Sequence, residues 1–313
     1  MDYESNSFPP IMLKTISKRC KGFNRVFAEK IILFSINLII LFPHVTQSAN
    51  SSKMGMEFEC LTLEQGLSQS TVTSIVQDKT GFLWLGTMDG LNRYDGYTFR
   101  KFYSLQSKTN SLSDDWITCL CLDSKGDLWI GTLGGYLNKY LPESESFNNY
   151  FINPDSDRTS YRLDSKDAFS FQYNFHNRNS ITAIFEDQVG RLWVGTYDNG
   201  LYTFDRGTKR FSRFQEGSFA NNSATNRILS ISESDVNERL SLWIGTLGGG
   251  LVRYDENGIK TYNTSNSKIA DNTIVAVYPD SKNENILWIG THGSGALRFH
   301  TAQEKFETFK HRV

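Results

Sequence analysis

Residues from about 58 to 313 are predicted to fold as an all-β protein, a β-propeller of five four-stranded blades. Three observations predict it: a Leu-Trp-x-Gly-Thr segment that recurs five times, a spacing of about one blade between copies, and apolar stretches of period two beside each copy. The copies are Leu83–Thr87, Leu128–Thr132, Leu192–Thr196, Leu242–Thr246 and Leu287–Thr291. Their tryptophans, Trp84, Trp129, Trp193, Trp243 and Trp288, lie 45, 64, 50 and 45 residues apart. Helical repeats of similar length would need a period near 3.6, which these segments do not show.

The chain begins differently. Lys14, Lys18, Arg19, Lys21, Arg25 and Lys30 precede an apolar run from Ile31 to Phe42, followed by Pro43 and the small residues Ser48 and Ala49. Twelve helical residues span roughly 18 Å, less than the roughly 30 Å hydrocarbon core of a bilayer. Residues 1–49 therefore read as a secretory signal peptide, with a signal anchor as the alternative. Either way the remainder is expected to be exported, with membrane contact only through this segment.

Blade 1 is expected over about 70–103, blade 2 over 115–150, blade 3 over 179–214, blade 4 over 226–262 and blade 5 over 272–309. In each, a β-branched stretch leads in, as in Val72–Val76 and Ile117–Leu122. The Trp strand follows, then a Gly-containing turn and a strand ending in Tyr94, Tyr140, Phe204, Tyr254 or Phe299. A fourth short strand closes the unit. Asp78-Lys79-Thr80-Gly81, Asp123-Ser124-Lys125-Gly126 and Asp187-Gln188-Val189-Gly190 join the first two strands of blades 1 to 3. There the Asp accepts from the turn backbone and the Gly takes a positive φ. One carboxylate per turn is too few for calcium. Blade 4 has a longer hairpin, Ser234 to Ser241, without that signature. Within each Trp strand, the Trp and Gly86, Gly131, Gly195, Gly245 or Gly290 share a face, and the Gly is expected to admit a bulky group of the neighbouring blade. The insertion 153–179 explains the longest spacing.

With 33 basic and 34 acidic residues, the chain lacks the positive field that nucleic-acid binding requires. Cys119 and Cys121 stand two apart on one strand, too tight for a relaxed disulfide and without a second pair for zinc. With Cys60 they read as packing residues. The five histidines show no metal-binding spacing, and no cofactor or metal is expected.

The run from Val72 to Asp95, with the pattern V-x-x-I-x-x-D-x-x-G-x-L-W-L-G-T-x-x-G-L-x-x-Y-D, resembles the two-component regulator propeller repeat. The resemblance covers about 58–313, and the opening Phe58 to Ser68 also resembles the start of such a sensor's propeller. Leu141 and His300 replace the pattern's Asp in blades 2 and 5. The resemblance implies a periplasmic sensor of glycan fragments or another small ligand, relayed to a histidine kinase, with no kinase in this chain. Sensor propellers of this type usually have seven blades. Phe58 to Leu61 reads as a fourth strand lacking its first three, while blade 5 already has Phe306 to Phe309. An incomplete ring, part of a larger sensor, is therefore expected.

Strands alternate in direction, so the turn after each Trp strand and the connection to the next blade share one end. A ligand is expected there, bordered by Asp89, Tyr197, Asp198 and His292 from the turns and by Tyr173 and Arg178 from the insertion. The alternative for the insertion is a self-packed surface loop. A propeller enzyme (lyase or glycosidase) would have to work with Asp89 and Asp198, both also explained as turn residues. A protein-interaction scaffold is the third class.

Overall fold

The computed structural model describes residues 60–152, 179–217, 219, 224–236 and 239–309. The 1–49 segment and Tyr173 and Arg178 of the insertion lie outside them. Among the described residues twenty strands form five separate sheets of four, each antiparallel and ordered as in the chain. Blade 1 comprises β1 (Val72–Gln77), β2 (Leu83–Thr87), β3 (Leu91–Tyr94) and β4 (Phe99–Phe102). Blade 2 comprises β5 (Ile117–Leu122), β6 (Leu128–Thr132), β7 (Tyr136–Leu141) and β8 (Ser146–Phe151). Blade 3 comprises β9 (Ile181–Glu186), β10 (Leu192–Thr196), β11 (Leu201–Asp205) and β12 (Arg210–Arg213). Blade 4 comprises β13 (Ile228–Asp235), β14 (Leu240–Thr246), β15 (Leu251–Asp255) and β16 (Gly258–Tyr262). Blade 5 comprises β17 (Ile274–Pro279), β18 (Ile286–Thr291), β19 (Ala296–His300) and β20 (Lys305–Phe309). The first strands β1, β5, β9, β13 and β17 lie side by side in that order.

Two local expectations need revision. Cys60 and Leu61, the described half of the expected strand Phe58 to Leu61, are not in a strand. The blade 4 hairpin is long because its strands are long: Ser234 pairs with Ser241 and Asp235 with Leu240. Alternating polar residues hid that extension from a reading of apolar period.

The core lies between blades rather than within them. Trp84 (2% exposed), Trp129 (1%), Trp193 (2%) and Trp243 (0%) each pack on the last aromatic of the third strand of the next blade. The pairs are Trp84–Tyr140, Trp129–Phe204, Trp193–Tyr254 and Trp243–Phe299, with ring centroids 4.7, 5.6, 6.4 and 5.7 Å apart. These separations suit tilted and edge-to-face aromatic packing. Arg93, Lys139, Arg191, Arg253 and Arg298 each lie within 6 Å of a blade's indole, adding a cation–π contact at every Trp.

The turn aspartates have a second task. Asp78 Oδ1 accepts from the Thr80 and Phe82 amides, while Oδ2 accepts from the Trp84 indole at 2.7 Å. Asp123, Asp187 and Asp280 take the indole N–H of Trp129, Trp193 and Trp288 at 2.9, 2.8 and 2.8 Å. In blade 4 Ser234 Oγ takes that of Trp243 at 2.9 Å. A buried indole N–H needs such a partner. The turn glycines Gly81, Gly126 and Gly190 have φ of 96°, 88° and 82°, the left-handed region in which a Cβ is strained.

A threonine follows the leading β-branched residue in blades 1 to 3 and binds the next blade. Thr73 Oγ1 donates to Ile117 O at 2.8 Å and Thr182 Oγ1 to Ile228 O at 2.6 Å, and Thr118 Oγ1 donates to Ile181 O. Leu229 and Val275 occupy that position in blades 4 and 5.

Candidate functional site

The alternation of strand direction sends all five turns after the Trp strands to one end of the blades, together with the connections between blades. Backbone hydrogen bonds weld the two sets of loops. Leu133, Tyr197, Leu247 and His292 donate their amides to Trp116, Ser180, Arg227 and Thr273, the residues just before the first strands of their own blades, at 2.9–3.1 Å. Gly90, Gly200 and Gly250 reach the connection of the next blade, donating to Asp115, Asn226 and Asn272 at 2.7, 2.8 and 2.8 Å. The platform is thus rigid backbone from which side chains project.

Asp89, Tyr197, Asp198 and His292 all lie in these turns. Asp89 and His292 are exposed, and Tyr197 and Asp198 are half-buried. Asp198 Oδ1 accepts from Arg227 Nε at 3.1 Å, so one carboxylate is already engaged with a guanidinium. Tyr173 and Arg178, expected beside them, fall outside the described residues.

Two aspartates that sequence reasoning passed over help to build this end. Asp114 Oδ2 accepts from the Gly134 amide at 2.7 Å and Oδ1 from Trp116 at 3.1 Å. Asp271 does the same for Gly293 and Thr273, both at 2.9 Å. Each stands three residues before the leading Ile of its blade, and Arg178 occupies the corresponding place before Ile181. That shared offset was the available signal.

Electrostatically, the corner between blades 1 and 2 is acidic. Burial pushes the Asp114 carboxyl above the ordinary carboxylate value, against hydrogen bonds from Trp116 and Gly134. Asp115, whose Oδ1 accepts from Ser104 N at 2.6 Å, is raised first by burial and then by the charges of Asp114 and Asp89. The Tyr103 phenol is raised by burial, then by Asp89 and Asp115. Such a corner presents acceptors for hydroxyl or N–H donors and disfavours an anion. Among the described residues no group of three or more His, Cys, Asp or Glu side chains could hold a metal ion.

At the opposite end, among the first hairpins of blades 2 to 4, a cleft of about 460 Å³ is lined by Cys121, Asp123, Ser124, Phe185, Glu186 and Glu233. Its polar groups serve blade packing. Glu186 accepts from Ser124 N and pairs with Arg206 at 2.6 Å, and Glu233 accepts from Gln188 N at 2.9 Å. Burial pushes the Cys119 thiol up to about 12 and that of Cys121 to about 11, so neither is a nucleophile near neutrality.

The two component regulator propeller family matches residues 66–89, 111–134 and 177–198. Histidine kinase P4 of Formosa agariphila is 41% identical over 75 residues, 24% of this chain and 6% of that protein. Among solved structures, the extracellular domain assigned to a hybrid two component system of B. thetaiotaomicron is 28% identical, with a TM-score of 0.62. The match covers 80% of this chain and 31% of that one. Virginiamycin B lyase of Staphylococcus aureus is 17% identical with a TM-score of 0.52, over 77% of this chain and 70% of its own, and shares the fold alone. The chain spans about a third or less of the two signalling relatives.

Proposed function

We propose that this chain of two-component regulator propeller repeats is the exported, ligand-reading part of a two-component sensor. Its loop-bearing end takes glycan fragments, and occupancy is passed to a histidine kinase beyond the propeller. One observation carries the reading: the 28% identity to an extracellular domain of a hybrid two component system, extending over 80% of the chain. The chemistry of the loop end agrees with it. Exposed Asp89 and His292, half-buried Tyr197 and the Asp198–Arg227 pair offer an aromatic face and both donors and acceptors. That combination suits sugar rings and hydroxyls.

Calorimetry of the purified chain against a panel of oligosaccharides tests this. Binding without turnover is expected. Asp89→Ala and Tyr197→Ala should each weaken it by about tenfold, roughly 1.4 kcal/mol, with Tm unchanged. Cleavage products in the panel would instead favour the lyase or glycosidase reading, and no binding across the panel would remove glycans as the ligand class.

A further inference from the structure

Five of the six tryptophans anchor blades, and the sixth, Trp116, stands in the connection that leads into blade 2. Each of the five anchors has an aromatic neighbour and an acceptor for its indole N–H. Trp116 is half-buried, and among the described residues its ring meets no aromatic or cation and its indole N–H has no acceptor. Its backbone is nevertheless pinned. The amide donates to Asp114 Oδ1 at 3.1 Å, and the carbonyl accepts from Leu133 N at 3.0 Å. Thr71, Ser180, Arg227 and Thr273 occupy the corresponding place before the other blades, so the repeat itself does not call for an indole there. A large aromatic surface is thus held in position without being spent on the fold.

The turn after the Trp strand of blade 1 lies against this connection. Gly90 N donates to Asp115 O at 2.7 Å, which brings the segments carrying Asp89 and Trp116 side by side. The boundary between blades 3 and 4 fills the same two places differently. There Arg227, in the place of Trp116, pairs with Asp198, in the place of Asp89, at 3.1 Å. At the boundaries of blades 2 with 3 and 4 with 5 the two places hold Gly134 with Ser180 and Gly248 with Thr273. Asp89 is exposed, and among the described residues its carboxylate has neither a hydrogen bond nor an ion pair. Asp115 spends Oδ1 on Ser104 N at 2.6 Å, and its Oδ2 has no such donor. Tyr103 covers the turn that carries Asp89: a Cβ added at Gly90 would lie 2.9 Å from two atoms of its ring.

We infer that this corner is a sugar subsite in which Trp116 stacks on one ring while Asp89 and Asp115 Oδ2 accept from its hydroxyls, and that it takes a sugar without an acid group. The inference rests on the reading of the loop end as glycan-binding and narrows the ligand class. An indole offers a broad, stiff apolar face to the C–H side of a sugar ring. A carboxylate accepts from hydroxyls through charge-assisted hydrogen bonds. A uronate or a sulfate ester would instead bring a like charge against Asp89, Asp114 and Asp115, whose charges already act on one another without a cation between them. Arg227 supplies that cation at the Asp198 boundary, and Trp116 takes its place here.

Calorimetry of the full chain against matched pairs of oligosaccharides, each a neutral chain and its uronic acid counterpart, tests the inference. The pairs are fragments of glucan with glucuronan, mannan with polymannuronate and galactan with polygalacturonate. A neutral member should bind, and its acidic counterpart should bind at least about fivefold more weakly, a gap that narrows as added salt screens the carboxylates. Trp116→Leu, which keeps apolar bulk without the aromatic face, should weaken the neutral ligand by about tenfold with Tm unchanged, while Trp116→Phe retains most of the affinity. Asp89→Asn should narrow the gap within the pair. The neutral ligand should also alter tryptophan emission in the parent and not in Trp116→Phe. Binding that is lost in Tyr197→Ala but unchanged in Trp116→Leu would overturn the subsite while leaving the glycan reading in place. Equal or tighter binding of the acidic member would overturn it too, and no binding by any pair would remove it together with that reading.

Discussion

A single hydrogen atom separates the glycines of the Trp strands from failure, and the cost differs by position. At Gly131 an added methyl would meet Cys119 Sγ at 2.5 Å and Ile181 Cγ2 at 2.7 Å, so both neighbours would have to shift. Gly131→Ala should therefore destabilise the fold by about 1–3 kcal/mol. Gly290→Ala meets nothing closer than 3.5 Å and should fall within about 0.5 kcal/mol of the parent. Urea denaturation of both variants checks the pair, and equal losses would contradict this difference in crowding. Asp123 poses a related problem of position. Burial would raise its carboxyl, but hydrogen bonds from Trp129 and the Asp127 amide, with the Arg206 charge, outweigh burial and hold it below the usual 3.8. A depressed folded value means stability that is present above the unfolded pKa and lost as pH falls through the folded one. Asp123→Asn should thus be less stable than the parent at pH 7, with the difference shrinking toward about pH 3. The sequence showed this Asp as a turn acceptor. Its second oxygen was illegible there, because the six-residue offset to Trp129 becomes a contact only once the hairpin folds back.

At the scale of elements, each blade is held to the next by its first strand. Thr73, Thr118 and Thr182 bridge the first three boundaries, whereas Leu229 leaves the boundary between blades 4 and 5 without this bond. A hydrogen bond of this kind contributes about 1 kcal/mol, and in a repeat array stability is roughly the sum of units and nearest-neighbour interfaces. Blade 5, bordered by one blade among the described residues, should open first. Hydrogen exchange is expected to be faster in β17–β20 than in β5–β12, and Leu229→Thr should slow it in β17–β20. Uniform exchange over all five blades would contradict the ranking. The order of strands and the sharing of one end by turns and connections were legible from period and alternation, since a strand reverses direction whatever its side chains. Which side chains build that end was not. Asp114 and Asp271 sit in connections without periodicity, and their partners are backbone amides of a turn some twenty residues on.

Across the whole molecule, the two ends differ in how readily their carboxyls ionise. At the hairpin end Asp280 is lowered by the Trp288 indole and nearby amides, Asp95 and Asp205 by turn amides, and Glu304 by Lys260. At the loop end Asp114 and Asp115 are raised, chiefly by burial. Glu233 departs from the pattern, raised by burial at the hairpin end. The hairpin carboxylates are spent on internal donors and favour folding above the usual carboxylate range. Those of the loop end work the other way. A raised folded pKa gives stability that is present in acid and lost as pH rises through that value. The end proposed for ligand recognition therefore carries electrostatic strain near neutrality, which a donor-rich ligand would relieve by supplying hydrogen bonds to Asp89 and Asp115. Asp115→Asn removes the charge, while its Oδ1 can still accept from Ser104 N. The variant's stability should fall less than the parent's as pH climbs from about 4 to 7, as read by Tm at the two values. A parent and variant with parallel Tm profiles would show that the loop end is not strained by its charge, and would remove this electrostatic argument for ligand binding there.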